Sequence, residues 1–222
     1  MISVLAAAVL LQRPNSLTRD ERAAGWRLLF DGKTVKGWHN FKATGVREGW
    51  SVINGELTCT DPHKAGDIVT DDKFDWFEMT LDYKLSVGGN SGVMFHVADD
   101  GGTVWMSGPE VQLHDQVQSN ESQKTGWLYG LYPASVNAAN PEGEWNHLRI
   151  LITPKGCETE LNGVPYVMFI LGSDDFKARV AKSKFGRMPN FAKLDRGTIA
   201  LQGDHGVVAF KNVKLRPIVV NP

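Results

Sequence analysis

The sequence lacks a charge excess, helical periodicity and any dense set of cysteines. Its 24 lysines and arginines nearly balance 25 aspartates and glutamates, for a formal net charge of −1, so no field recruits nucleic acid or an anionic membrane. Two cysteines, Cys59 and Cys157, each sit within an expected strand, and the sequence does not show whether they meet in space. There is no HExxH, EF-hand loop, paired Cys-x-x-Cys, Gly-x-Ser-x-Gly elbow or P-loop, which removes the common zinc, calcium, α/β-hydrolase and nucleotide signatures. The apolar stretch Ile2 to Leu11 is too short to span a bilayer and resembles the core of a secretory signal without its usual basic start. It leads us to expect a periplasmic or secreted protein. Residues 1–22 are set aside as a signal-like or disordered segment, and residues 23–222 are expected to form one domain.

What the chain does have is aromatic and turn-forming residues: seven Trp, ten Phe and 23 Gly in 222 residues. A chain this long can bury roughly 70–75% of its unfolded surface, so it needs no metal or disulfide to fold. From Trp26 onward, short runs rich in β-branched and aromatic residues are separated by Gly, Asn and Asp turns, the pattern of an antiparallel sandwich or barrel. Expected strands are Trp50 to Ile53, Gly55 to Thr60, Asp67 to Thr70, Phe74 to Leu85, Ser91 to Val97, Glu110 to His114, Trp145 to Thr153, Cys157 to Leu161, Val164 to Phe169, Gly197 to Gln202 and Val207 to Pro217. Asn54-Gly55 and Asn162-Gly163 are hairpin turns of the type that needs positive φ. One short helix is expected near residues 174–184, where Phe176, Val180 and Ala181 follow helical spacing behind a Ser or Asp cap.

The most informative run is GPEVQLHD, Gly108 to Asp115. In a strand, Glu110, Gln112 and His114 share one face while Val111 and Leu113 take the other, because successive side chains alternate. The apolar pair marks the core side. The polar face is therefore a solvated surface or a cleft.

Read in order, LLFDGKTVKGW, GWSVINGEL, DIVTDDKFDWFEMTLDYKL, GGNSGVMFH, GPEVQLHD, KTGWLYGLY, GEWNHLRI, LNG and IALQGDHGVVAFKNVKL together resemble the 3-keto-disaccharide hydrolase family over about residues 26–217. The resemblance implies an all-β fold, a concanavalin-like jelly-roll sandwich of two curved antiparallel sheets whose concave face forms a glycan cleft. It also implies action on sugars already oxidised at C3. The family commonly carries Arg where this chain has His96, and His cannot reproduce the two-bond fork of a guanidinium.

A C3 ketone acidifies the C2 hydrogen and puts the glycosidic oxygen in position to leave by elimination, after which water adds back. That chemistry needs a base near C2, a stabiliser for the enolate oxygen and an acid near the leaving oxygen. It does not need the carboxylate pair of ordinary glycosidases. Glu110 is the candidate base or metal-coordinating carboxylate, with Gln112 a donor to the substrate. His205 is a candidate acid or metal ligand, and His114 and Asp115 compete for a third catalytic place. Asn90, Ser91, His96, Gln202 and Tyr129 are candidate sugar contacts, and Trp105 and Trp127, in long loops, are stacking candidates. A divalent metal would have to be assembled from Glu110, His114 and His205 across different strands. The basic residues Lys177, Arg179, Lys182, Lys184 and Arg187 read as a solvated face. Two readings compete with the enzyme: a non-catalytic carbohydrate-binding module on the same face, and an endo-glucanase of the same fold that the missing second carboxylate disfavours. The expected partners are a glycoside or oligosaccharide substrate and a separate oxidoreductase that makes the keto sugar.

Overall fold

The computed structural model describes residues 13–100, 102–115 and 124–220. The leader-like stretch Ile2 to Leu11 lies outside them. Among the described residues, thirteen strands form two antiparallel sheets. The larger sheet has the order β11 (Val164–Phe169), β10 (Cys157–Leu161), β9 (Asn146–Ile152), β6 (Phe77–Leu85), β13 (Val208–Pro217), β4 (Glu56–Cys59) and β3 (Trp50–Ile53), with β1 (Arg27–Leu28) also paired to β13. The smaller sheet runs β2 (Trp38–Asn40), β5 (Ile68–Thr70), β12 (Thr198–Leu201), β7 (Asn90–Val97) and β8 (Glu110–His114). The sequence-based strands match these elements within a few residues, and β1 and β2, two and three residues long, are additions. Strands that short carry too few alternating positions to show a period.

One apolar cluster takes side chains from both sheets: Phe77, Met79, Leu81, Ile150 and Phe210 from the larger, Ile68, Val93, Phe95, Val111, Leu113, Ile199 and Leu201 from the smaller. This is the jelly-roll sandwich expected from the sequence. Along β9 and β10 buried residues alternate strictly with more exposed ones, Leu148, Ile150 and Ile152 inward against His147 and Arg149 outward. Asn54 and Asn162 each take positive φ before their glycines, closing β3–β4 and β10–β11 as hairpins.

The outer face of the smaller sheet is covered rather than bare. At one end Met94, Ala200 and Val69 pack with Val104 of a 3-10 turn, Val104–Met106. At the other, residues 126–129 run along β8: Gln112 N–H donates to Trp127 O (3.0 Å), Gly126 N–H to Gln112 O (2.8 Å) and Tyr129 N–H to Glu110 O (2.9 Å). These bonds satisfy the backbone edge that β8 would otherwise expose. The expected helix is α3 (Asp174–Lys182), which the Ser173 hydroxyl caps by accepting from Phe176 N–H, and a 3-10 turn, Lys184–Arg187, follows it. The shorter helices α1 and α2 occupy Arg19–Ala23 and Pro62–Ala65.

The structure adds residues 13–22 to the folded unit and answers the question of the two cysteines, which the sequence left open. The segment set aside up to Arg22 belongs to the folded unit from residue 13: Asn15 N–H donates to Asn212 Oδ1 (2.7 Å) and Asn212 N–H returns a bond to Asn15 Oδ1 (2.8 Å), while Asn15 Nδ2 donates to Gly55 O (2.8 Å). Cys59 and Cys157 do not pair; both are buried free thiols, each directed at a backbone carbonyl, Gly203 O and Thr153 O. No helix among the described residues is long and apolar enough to cross a membrane.

The Asn15–Asn212 exchange makes a direct test of the N-terminal boundary. Asn15→Ala leaves the Asn212 N–H without its acceptor and is expected to cost about 1–3 kcal/mol, read as a lower urea midpoint at unchanged slope.

Candidate functional site

The covered end of the smaller sheet holds a cleft of about 210 Å³, lined by Asn90, Trp105, Glu110, Gln112, Tyr129, Lys184, Gln202 and His205. That is below the roughly 300–1,000 Å³ of drug-sized ligand pockets.

Strand pairing sets the floor. Gly92 lies opposite Gln112 and Met94 opposite Glu110, so the Glu110 side chain crosses over Gly92. A Cβ on Gly92 would stand 2.2 Å from Glu110 Oε1 and 2.8 Å from its Cγ and Cδ, closer than atoms pack. The glycine of the NSG motif is thus the notch that holds this carboxylate. With its amide turned to satisfy its donors, Gln112 Nε2 donates to Glu110 Oε1 (2.8 Å) and Ser91 O (3.0 Å). Gln202 N–H donates to Gly92 O (3.0 Å), which brings Gln202 to the same floor.

The walls come from four separate segments. Trp105 sits on the 3-10 turn after Thr103, and Tyr129 on the segment laid along β8. His205 lies in the turn after β12, its Nδ1 paired with Asp204. Gly206 lets that turn close against the start of β7, where a Cβ would meet Asn90 N at 2.6 Å. Lys184 opens the turn after α3, and its Nζ lies 4.4 Å from the centre of the Tyr129 ring and 5.0 Å from that of Trp105.

The charges in this space perturb one another. Burial pushes the Glu110 carboxyl up to about 8; Asp67 and Asp204 add to the rise, and Lys184 and His205 oppose it. Glu110 is the carboxylate among the described residues lining the cleft. Asp67, just behind, is raised to about 6 by burial and by Asp204, and it accepts from Gly203 N–H (3.2 Å). The His205 imidazole is held above its usual range chiefly by its bond to Asp204. The site therefore combines a buried carboxyl that titrates near neutrality, an imidazole favoured in its protonated form and an ammonium.

Seven residues singled out from sequence share the cleft: Glu110, Gln112, Asn90, Gln202, His205, Trp105 and Tyr129. Five others do not. Ser91 is one residue out of phase with Asn90, so it turns inward and its hydroxyl donates to Gln202 O (2.7 Å). His114 keeps the Glu110 parity but lies at the far end of β8, beside Asp115 and Thr125 in a separate small crevice, with Nδ1 2.9 Å from Asp115 O. Asp115 is buried and accepts from Gly88 N–H (2.7 Å), closing the end of the β7–β8 pair. His96 would share the Asn90 face by parity, yet a bulge opposite β12 gives it φ 52° and turns it to the rim of the core, 2.5 Å from Asp75 O and against Trp76 and Phe95. Burial depresses its basicity. The contrast with the family's Arg therefore concerns a position away from the cleft. Trp127 is 8% exposed and packs in the core. Because His114 stands apart, Glu110, His114 and His205 do not converge, and no group of three His, Cys, Asp or Glu among the described residues is arranged to hold an ion.

Sequence reading missed two residues. Asp67 was hidden in a strand-entry position, and Lys184 was assigned to a solvated basic face. Of that basic set, Lys177 and Arg179 do pair along the helix surface with Asp174 and Asp175. The clue to Lys184 was its neighbour: Phe185, in an otherwise polar stretch, is 2% exposed and stacks on Phe191 with centroids 4.1 Å apart.

Comparison with known proteins fits this geometry. A family model for 3-keto-alpha-glucoside-1,2-lyase-like domains matches residues 25–216. The chain is 28% identical to a Bacteroides thetaiotaomicron protein named 3-keto-disaccharide hydrolase, over 91% of this chain and 81% of that one. A crystal structure from Parabacteroides distasonis, provisionally named a glycosyl hydrolase, superposes with a TM-score of 0.85 at 32% identity, over 93% of this chain and all (100%) of that one. A second from the same organism gives 0.66 at 25% identity, over 87% and 99%.

Two outcomes follow from the Glu110 notch. The folded carboxyl keeps its proton up to about pH 8 whereas the ordinary group releases it near 4.5, so folding binds more protons than unfolding across that window and stability falls as pH rises through it. Glu110→Gln is expected to flatten this decline, with the largest gain in Tm over wild type above pH 8. Gly92→Ala is expected to cost about 1–3 kcal/mol by overpacking. In a denaturation cycle most of that loss disappears on a Glu110→Ala background, because the clashing partner is gone.

Proposed function

The chain belongs to the family of 3-keto-alpha-glucoside-1,2-lyase-like domains, and from that premise we propose that its cleft cleaves 3-keto-glycosides, 3-keto-disaccharides foremost, by elimination followed by hydration. The observation that carries this reading is Glu110, the carboxyl lining the cleft, raised to about 8 by burial and sharing the cleft with an imidazole whose basicity Asp204 raises. An ordinary glycosidase needs two carboxyl groups roughly 5–10 Å apart across the scissile bond. The lining of this cleft offers one, and elimination beside a ketone uses one base, with an acid and a stabiliser for the enolate oxygen in place of the second carboxylate.

In the proposed reaction the ionised Glu110 removes the C2 proton. The C–H electron pair forms the C2–C3 double bond while the carbonyl pair moves onto the C3 oxygen. The enolate then collapses: the ketone re-forms, C1 and C2 become doubly bonded, and the C1–O bond breaks. His205 gives its proton to the departing oxygen, so the products are an alcohol and an unsaturated keto sugar. Addition of water across C1–C2 completes a net hydrolysis. Burial makes Glu110 a stronger base than an exposed carboxylate, at the cost of a smaller ionised fraction near pH 7, the compromise expected of a general base. Gln112, bonded to Glu110, restrains its carboxylate, and Asn90 and Gln202 offer amides to ring hydroxyls. Trp105 presents a face for stacking on the C–H side of a pyranose. The keto group has to be installed beforehand by a separate oxidoreductase. The leader-like Ile2 to Leu11 supports an exported enzyme.

The test is incubation with a p-nitrophenyl 3-keto-glucoside and its unoxidised parent. Release of nitrophenol from the keto sugar alone is expected, with kcat/KM rising through a limb near pH 8 and turnover lost in Glu110→Gln. Cleavage of the parent points to an ordinary glucanase, and binding without turnover to a carbohydrate-binding module.

A further inference from the structure

We infer that Lys184 is the group that receives the C3 oxygen of the oxidised sugar and stabilises the negative charge it acquires in the enolate. This assignment rests on the proposed function above and adds the residue that makes the cleft selective for a ketone. Three features of its surroundings carry it.

The first is how the ammonium is held. Nζ lies over Tyr129, Trp105 and Phe185, 4.4, 5.0 and 5.2 Å from their ring centres, and 3.4 Å from the Tyr129 hydroxyl oxygen. Among the described residues no carboxylate lies within ion-pair distance of it, whereas Lys64, Lys73, Lys84, Lys177 and Lys214 each have one. Aromatic faces attract a cation without accepting strong hydrogen bonds from all its N–H groups. Lys184 therefore keeps donors available for an incoming oxygen, and that oxygen need not compete with a carboxylate.

The second is that its backbone is anchored. Ser183 Oγ accepts from Phe185 N–H (3.1 Å) and donates to Val180 O (2.8 Å), and the buried Phe185 ring stacks on Phe191. Gly186 fits only without a side chain, since a Cβ would stand 2.8 Å from Ala181 O. A flexible lysine stem thus starts from a fixed point and ends against two rings that themselves line the cleft. Preorganisation of this kind is what makes a donor effective toward charge that appears only during reaction.

The third is division of labour. Glu110 and Lys184 line the same cleft and interact electrostatically. His205 is the other basic group lining it, oriented by its bond to Asp204, and an imidazole, unlike an ammonium, readily exchanges its proton at physiological pH, which suits it to give up a proton rather than to remain a fixed charge. Elimination needs a base at C2, a fixed positive charge at the C3 oxygen and a proton donor at the leaving oxygen, and these three side chains fill those needs without overlap. A hydroxyl at C3 acquires no such charge, so the contribution of Lys184 is felt by the oxidised sugar alone.

The experiment compares wild type, Lys184→Gln and Lys184→Arg. It follows nitrophenol release from p-nitrophenyl 3-keto-glucoside, exchange of the C2 hydrogen of a 3-keto-glucoside in D2O by NMR, and binding of the unoxidised parent glucoside. Lys184 is exposed and its contacts with the Tyr129 and Trp105 rings are of the weak, solvent-side kind, so thermal midpoints within a few degrees of one another are expected for all three proteins. Lys184→Gln is expected to lower kcat and C2 exchange together by about 10²–10³-fold, the usual effect of removing one oxyanion donor, with parent binding unchanged. Lys184→Arg, which keeps the charge, retains more of both. Unchanged kcat and exchange in Lys184→Gln overturn the inference, as does a loss confined to KM with equal loss of parent binding. Wild-type protein that neither exchanges the C2 hydrogen nor releases nitrophenol overturns the functional reading itself, and this assignment with it.

Discussion

The Glu110 carboxyl stands where it does because residue 92 has no side chain. Cross-strand pairing places Gly92 and Met94 beneath it, and any Cβ at residue 92 would overlap its carboxyl group. The notch removes the acid from water on one side, and the residue as a whole is 8% exposed. Desolvation, the largest influence on this group, follows from that enclosure, as does its shift to about 8. The arrangement of the rest of the site answers the same constraint. A carboxyl so buried is costly when ionised, and the nearby Lys184 and His205 offset part of that cost.

The covering of the smaller sheet explains how a sandwich acquires a small cleft in place of an open groove. Its outer face carries Met94, Ala200 and Val69 toward one end and polar residues toward the other. The apolar end demands cover and receives the 3-10 turn of Val104, which also delivers Trp105. The open edge of β8 demands hydrogen-bond partners and receives residues 126–129, which deliver Tyr129. In each case a structural need of the sheet brings a functional side chain to the wall. Lys184 arrives by the same logic, since burial of Phe185 fixes the turn on which it stands.

Charge distribution separates the working face from the opposite one. On the larger sheet Glu78 is 6% exposed and is bonded by both Arg149 and Arg216, which hold its carboxyl below the ordinary range in spite of burial. Glu110 is comparably buried, yet no guanidinium reaches it, and it moves the opposite way. Two glutamates in one fold thus differ because one has fixed cationic hydrogen-bond partners and the other has an amide and more distant charges. The first is structural and permanently ionised near neutrality. The second is free to exchange a proton.

Most of the sheet framework was legible in the sequence because it rests on a local rule: alternation with period two, interrupted by Asn-Gly turns, marks strands wherever the run is long enough, and it also put Glu110 and Gln112 on one face opposite Val111 and Leu113. That rule failed where geometry departs from regular alternation. The bulge at His96 reversed a side chain that parity sent to the cleft, and Ser91 fell inward one residue from Asn90. His114 satisfied the parity of Glu110 but lay too far along the strand to share its pocket. Trp127 turned into the core because the backbone on either side of it pairs with β8. Lys184, more than seventy positions from Glu110, could join the site only through the long-range packing of Phe185. The sequence by itself determined which face of β8 would be polar and that a glycine would follow Asn-Ser. Only the tertiary structure decided that this glycine is the seat of the carboxylate and which distant cations would face it, because those relations are set by contacts between segments that no local period encodes.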